Sequence, residues 1–150
     1  MKNKLIATRT AFGEALVELA KERNDIVVLD ADVASSTKAS IFNEAFPDRF
    51  FEMGIAEQNM MGVAAGMATT QKIIPFAVTF AVFATKRACD QVSISIAYPK
   101  LNVKIVGSYG GIPTGKAGAT HQAFEDFAIM RAIPNMTVTT ALVKTVKACL

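Results

Sequence analysis

Three short apolar runs rich in β-branched residues, IVVLDAD (26–32), IIPFAVTF (73–80) and NVKIVGS (102–108), are separated by segments with helical periodicity. This alternation narrows the fold more than any other feature. Neighbouring parallel strands need a crossover of a dozen or more residues, and continuous apolar strands suit a sheet covered on both faces. The pattern predicts an α/β fold, doubly wound, with a mostly parallel sheet and helices on both faces.

The intervening segments fill in that outline. Residues 8–23 predict a helix with Phe12, Ala15, Leu16 and Leu19 on one stripe and Lys21, Glu22 and Arg23 at its solvated end. The small polar stretch ASSTKAS (34–40) reads as a loop, followed by a short helix through Phe42 and Phe46 and a turn at Pro47-Asp48. Residues 83–97 predict one helix closed by Pro99, and residues 123–133 another. Residues 136–140 predict a fifth strand, and the end of the chain reads as an uncapped helix, as in a fragment of a longer protein. The 150 residues fit one domain, 1–150.

Composition excludes several functions. A net charge of +3 with interspersed signs contains no basic run, which argues against a nucleic-acid partner. No stretch reaches the roughly 18 uninterrupted apolar residues of a membrane span, and residues 1–16 lack the apolar core of a signal peptide. Cys89 and Cys149 have no CxxC spacing, which fits neither a zinc site nor a disulfide framework. The expected location is cytoplasmic.

One stretch points to chemistry. In FFEMGIAEQNMMGVAAGMA (50–68), the first residues read as an apolar strand, Gly54 as a turn and residue 56 onward as a helix. On that helix Glu57, Met60, Met61, Ala64 and Ala68 share a stripe, while Ile55, Val63 and Met67 make the other faces apolar as well, which predicts an interior helix. Glu57 would then be a carboxyl in apolar surroundings at a helix N-terminus. The dipole favours its anion and desolvation its neutral acid. A first-turn glutamate also simply suits a helix start, so spacing alone leaves its role open.

The residues from Gly54 to Ala68, GIAEQNMMGVAAGMA, resemble the strand, turn and helix of the pyrimidine-binding domain in the transketolase family of thiamine diphosphate enzymes. In that family the matching glutamate hydrogen-bonds the aminopyrimidine and favours its imino tautomer, a role the resemblance implies for Glu57. TFAVF (79–83) is similar to the family segment that stacks on the cofactor ring. Phe83 matches the stacking ring, with Phe80 lining the pocket, although two phenylalanines at this spacing also suit core packing. Asp32 matches an acidic residue near the cofactor. GATHQAFEDFAIMRAIPNMTV (118–138) resembles the substrate-side loop, helix and strand, with His121, the only histidine, at an active-site position. Arg9 and Ser36 fall near positions that hold a sugar phosphate, with surface solvation as the alternative.

The resemblance implies a part of a transketolase-like transferase that moves a two-carbon ketol unit from a ketose to an aldose. No GDG motif with a following asparagine is present. The magnesium ion and the diphosphate would therefore be held by a partner domain or subunit, in a homodimer or heterotetramer. Departures fall on the sugar side: Tyr109 stands where many relatives have histidine, Ala117 where they have aspartate, and Thr140, Ala141, Leu142 and Val143 replace the usual arginine and Pro-Ala-Asp stretch. These leave open a non-catalytic interaction module on the same fold, and a deoxyxylulose-phosphate synthase or 2-oxoacid dehydrogenase β component shares the superfamily. A rival motif is GGIPTGK (110–116), which fits seven places of the phosphate-binding pattern GxxxxGK[ST]; Ala117 fails the eighth.

Overall fold

The computed structural model describes residues 6–112 and 114–140. Four parallel strands, β1 (Ile26–Asp30), β2 (Phe50–Glu52), β3 (Ile74–Phe80) and β4 (Lys104–Ser108), form one sheet in the order β2-β1-β3-β4. β1 and β3 are the central strands and are buried throughout, whereas β2 is a half-exposed edge and not the apolar interior strand its phenylalanines predict.

Alternation along the central strands supplies both faces with apolar side chains. Ile26, Val28, Phe76 and Val78 pack against Leu16 and Leu19 of α1 (Thr8–Glu22) and Phe42 of α3 (Ser40–Ala45). Val27, Leu29 and Ala77 point the other way, against Met60, Met61 and Ala64 of α4 (Glu57–Thr69), Ala84, Ala88 and Val92 of the next helical segment, and Met130 of α5 (Asp126–Ala132). The chain therefore forms the expected α/β layers with helices on both faces.

Handedness explains which helix lies where. The step from β1 out to β2 runs one way along the sheet and the steps to β3 and β4 run the other. Right-handed crossovers then require α3 on one face and α4 with its successor on the opposite face. The strand order reverses between β1 and β3, and in open α/β sheets ligands bind beyond the carboxyl ends of the strands at such a point.

Several local expectations give way to tertiary effects. The stretch predicted as a loop contains a one-turn helix, α2 (Ala34–Thr37), ended by Lys38 at φ 68°. Residues 83–97 wind as two wide-turn π segments, Phe83–Arg87 and Gln91–Ala97, with the Ala88 amide bonded to the Phe83 carbonyl at 3.1 Å. Helix α5 starts at Asp126, later than predicted. Residues 136–140 form no strand: they flank the outer edge of β4 across a cleft of about 1610 Å³, with Met136 and Val138 packed against the core instead of hydrogen-bonding to the sheet. The predicted terminal helix, Cys149 and residues 141–143 lie outside the described residues.

Candidate active site

Helix α4 starts with Glu57, whose side chain is 2% exposed. The turn before it is held by Glu52, the last residue of β2, whose Oε1 accepts from the Gly54 and Asp32 amides at 2.9 and 2.8 Å. Gly54 takes φ 68°, a left-handed conformation that glycine adopts without steric cost. The same carboxylate thus positions the turn into α4 and the Asp32 segment after β1.

Two features of α4 differ from the sequence pattern. Its outer face, with Gln58, Asn59, Gly62 and Gly66, is exposed, and Ile55 before it is 75% exposed, so the helix is buried on one side only. The surroundings of Glu57 are not wholly apolar either. Arg87 Nη1 donates to Glu57 Oε1 at 2.8 Å and Oε2 at 2.9 Å. Position explains this: Arg87 lies thirty residues on, at the end of the π segment packed beside α4, a contact no local spacing encodes.

From Arg87 the site extends as one connected set of contacts. Its guanidinium lies over the Phe83 ring, 4.2 Å from the centroid. Phe83 stacks with Phe80 at 6.0 Å, and both meet the His121 ring edge-on at 5.2 and 5.7 Å. Phe80 also meets Tyr109 at 4.6 Å. Beyond it, Arg9 is bonded to the Tyr109 hydroxyl, and both donate to the Ser36 carbonyl at 3.3 Å. Glu57, Phe83, Phe80, His121, Arg9 and Ser36 are thereby brought onto one rim, at the carboxyl end of the sheet. Asp32 is exposed at the end of β1, at φ 59°, and is tied to the rim through its backbone. Ser36 takes part through its carbonyl and not its hydroxyl.

Sequence reasoning passed over three residues here. Arg87 carried no helical-stripe signal, Glu52 read as a strand end, and Asp30 is the last residue of the apolar run that forms β1. Asp30 is fully buried, with Oδ1 accepting the Val33 amide at 2.7 Å and Oδ2 the Thr37 hydroxyl at 3.4 Å, so it anchors the start of α2. Burial pushes its carboxyl up to about 6 from 3.8; the Val33 amide opposes the rise and the nearby Glu52 charge adds to it. A carboxyl whose pKa is raised by folding binds its proton more tightly in the folded state. Stability is then greatest below the unfolded value and falls as pH rises from about 4 to about 6, by roughly 2–3 kcal/mol. Chemical denaturation at steps across that window should show the decline, and Asp30→Asn should flatten it.

The rival phosphate-loop geometry does not form. Gly115–Ala117 and Ala119–His121 are single 3-10 turns, Lys116 is exposed, and the next α-helix begins at Asp126, so Lys116 meets no helix N-terminus. Among the described residues no group of His, Cys, Asp and Glu could hold a metal ion. No helix among them is long and apolar enough to cross a membrane.

A family model described as "Transketolase, pyrimidine binding domain" matches residues 4–142. The chain is 55% identical over 130 residues to a putative transketolase C-terminal section of Methanocaldococcus jannaschii, covering 87% of this chain and 41% of that protein. It is 47% identical over 130 residues to a 6-deoxy-6-sulfo-D-fructose transketolase subunit of a Clostridium species, covering 87% and 40%. A solved structure titled "Split gene transketolase, inactive beta4 tetramer" matches with a TM-score of 0.75 and 60% identity, over 87% of this chain and 41% of that one. The chain spans about two fifths of the length of these relatives. By the extent of the family match and the shared layers, this chain belongs to the transketolase pyrimidine-binding domain family.

Proposed function

We propose that residues 1–150 are the pyrimidine-binding domain of a transketolase-like enzyme that moves a two-carbon ketol unit from a ketose to an aldose with thiamine diphosphate. The observation that carries this reading is the Glu57 carboxylate, buried at the start of α4 and joined through Arg87 to the cluster of Phe83, Phe80 and His121 at the carboxyl end of the sheet. Membership in the family supports the choice of cofactor.

The residues present fit that cofactor's aminopyrimidine. A planar, polar heteroaromatic ring needs an apolar face to lie on and a polar group at its edge. Phe83, with Phe80 beside it, offers the face and Glu57 the edge. Thr79, fully buried just before Phe80, has a hydroxyl with no hydrogen-bond partner among the described residues. When bound, thiamine diphosphate supplies a nucleophilic carbon that cleaves and reforms the bond beside the substrate carbonyl. In this reading Glu57 holds or shares the proton at the pyrimidine edge, Phe83 keeps the ring in place by stacking, and Phe80 lines the pocket wall. Asp32 lies near the cofactor, while His121, bonded to the Thr120 hydroxyl at 2.9 Å, orients a substrate hydroxyl or carbonyl. Arg9 and Ser36, joined to Tyr109, mark the sugar end.

The diphosphate and a magnesium ion belong to a partner domain or subunit in this reading, in an assembly that is a homodimer or heterotetramer. The exposed face of α4 and Ile55 supply a surface for such a partner next to Glu57. A cytoplasmic location suits the free Cys89. The test is ketol transfer by the full-length protein mixed with its diphosphate-binding partner, with thiamine diphosphate and magnesium. The panel should include phosphorylated, sulfonated and free ketoses, because one relative is named for a sulfonated sugar. Turnover that needs both chains supports the reading. No turnover and no cofactor binding would leave an interaction module on the same fold.

A further inference from the structure

Arg87 touches both groups that the proposed function assigns to the aminopyrimidine. One nitrogen, Nη1, reaches the two oxygens of Glu57 at 2.8 and 2.9 Å, and the guanidinium plane lies over Phe83 at 4.2 Å. Glu57 has no other hydrogen-bond donor among the described residues, and Arg87 no other acceptor. The two side chains differ sharply in exposure: that of Glu57 is 2% exposed and that of Arg87 44%.

We propose that Arg87 is an internal surrogate for the aminopyrimidine, holding the Glu57 carboxylate and the Phe83 face in the cofactor-free chain, and that the incoming cofactor ring displaces it. This rests on reading the rim as the thiamine diphosphate site. The chemistry of the two groups matches. A guanidinium is flat, delocalised and rich in N–H donors, so it makes the same pair of contacts as an aminopyrimidine: stacking on a ring and hydrogen bonding to a carboxylate.

They cannot be made together. A carboxylate engaged by a guanidinium is an acceptor with no proton to share with a ring nitrogen. The arginine also covers ring area on which the pyrimidine would lie. Leaving Glu57 buried with neither partner would strand a charge away from water, a costly arrangement. Exchange of one partner for the other avoids that state. The route out is short, because the exposed end of Arg87 already borders solvent and its Nε and Nη2 are held by no acceptor among the described residues.

The consequence is that Arg87 lowers cofactor affinity by competition. The test is calorimetric titration of thiamine diphosphate, with magnesium present, into the full-length chain assembled with its diphosphate-binding partner, comparing wild type with Arg87→Met. Methionine keeps an apolar stem over Phe83 and removes the charge. The variant should bind roughly tenfold tighter, the scale of one partly exposed charge-assisted contact. Unchanged or weaker binding would overturn the proposal and identify Arg87 as a group that stays and supports the site. Should the methionine variant not fold, Arg87→Gln replaces it with the same expected tightening. Absence of binding by the wild type as well would overturn the site assignment itself, and with it the competition.

Discussion

If the chain acts as proposed, Glu57→Gln is expected to lower ketol-transfer turnover of the assembled protein by roughly 10²–10⁴-fold, the range lost with one positioned proton donor or acceptor. Glutamine keeps the size and one acceptor oxygen of the side chain but can neither carry nor share the proton. The fold should survive, because the partner left behind, Arg87, is 44% exposed and can turn to water. The buried carboxylate and its desolvation cost vanish together, so the change in stability should stay within about 1 kcal/mol. Steady-state kinetics beside a thermal melt separate the two effects. Turnover within tenfold of wild type would remove Glu57 from the mechanism.

The largest effect on stability is expected at Phe42, far from that site. Its ring is fully buried on the α1 face, between Leu16, Leu19 and the central strands, with Phe46 at 5.5 Å and the Arg49 guanidinium at 5.8 Å. Phe42→Ala removes most of that contact and leaves a cavity that rigid strands cannot close, for a loss of about 3–5 kcal/mol. Urea unfolding of the full chain measures it. Phe42→Leu, which keeps much of the volume, should lose clearly less. Equal losses for both would show that the cost comes from local strain and not from a cavity.

The layered fold was legible because its determinants are local and periodic. Uninterrupted runs such as IVVLD and IPFAVTF announce strands buried on both faces, and the helices between them require crossovers of one hand. Leu16, Leu19, Met60, Met61 and Ala64 fell on core-facing stripes by spacing alone and are buried. Misreadings arose where local pattern and tertiary setting disagree. Residues 136–140 have strand character, yet no strand partner aligns with them across the cleft beside β4. The helix at 83–97 was visible, but its wide turns were not, because apolar periodicity does not report which carbonyl an amide reaches.

For the candidate site, the residues on motifs were visible and the relations between them were not. The string from Gly54 to Ala68 singles out Glu57, and TFAVF singles out Phe80 and Phe83, through their resemblance to family motifs and not through spacing alone. Nothing in either string reveals that Arg87 pairs with Glu57, that Glu52 holds both Gly54 and Asp32, or that Asp30 is buried. Those contacts join residues distant in the chain, and they exist because all four strands run parallel and bring the loops at their carboxyl ends to one edge. Sequence by itself determined the layers, the core stripes and the identity of the chemical groups. Only the tertiary structure decided which charge faces which, because pairing depends on distances in space that chain spacing does not encode.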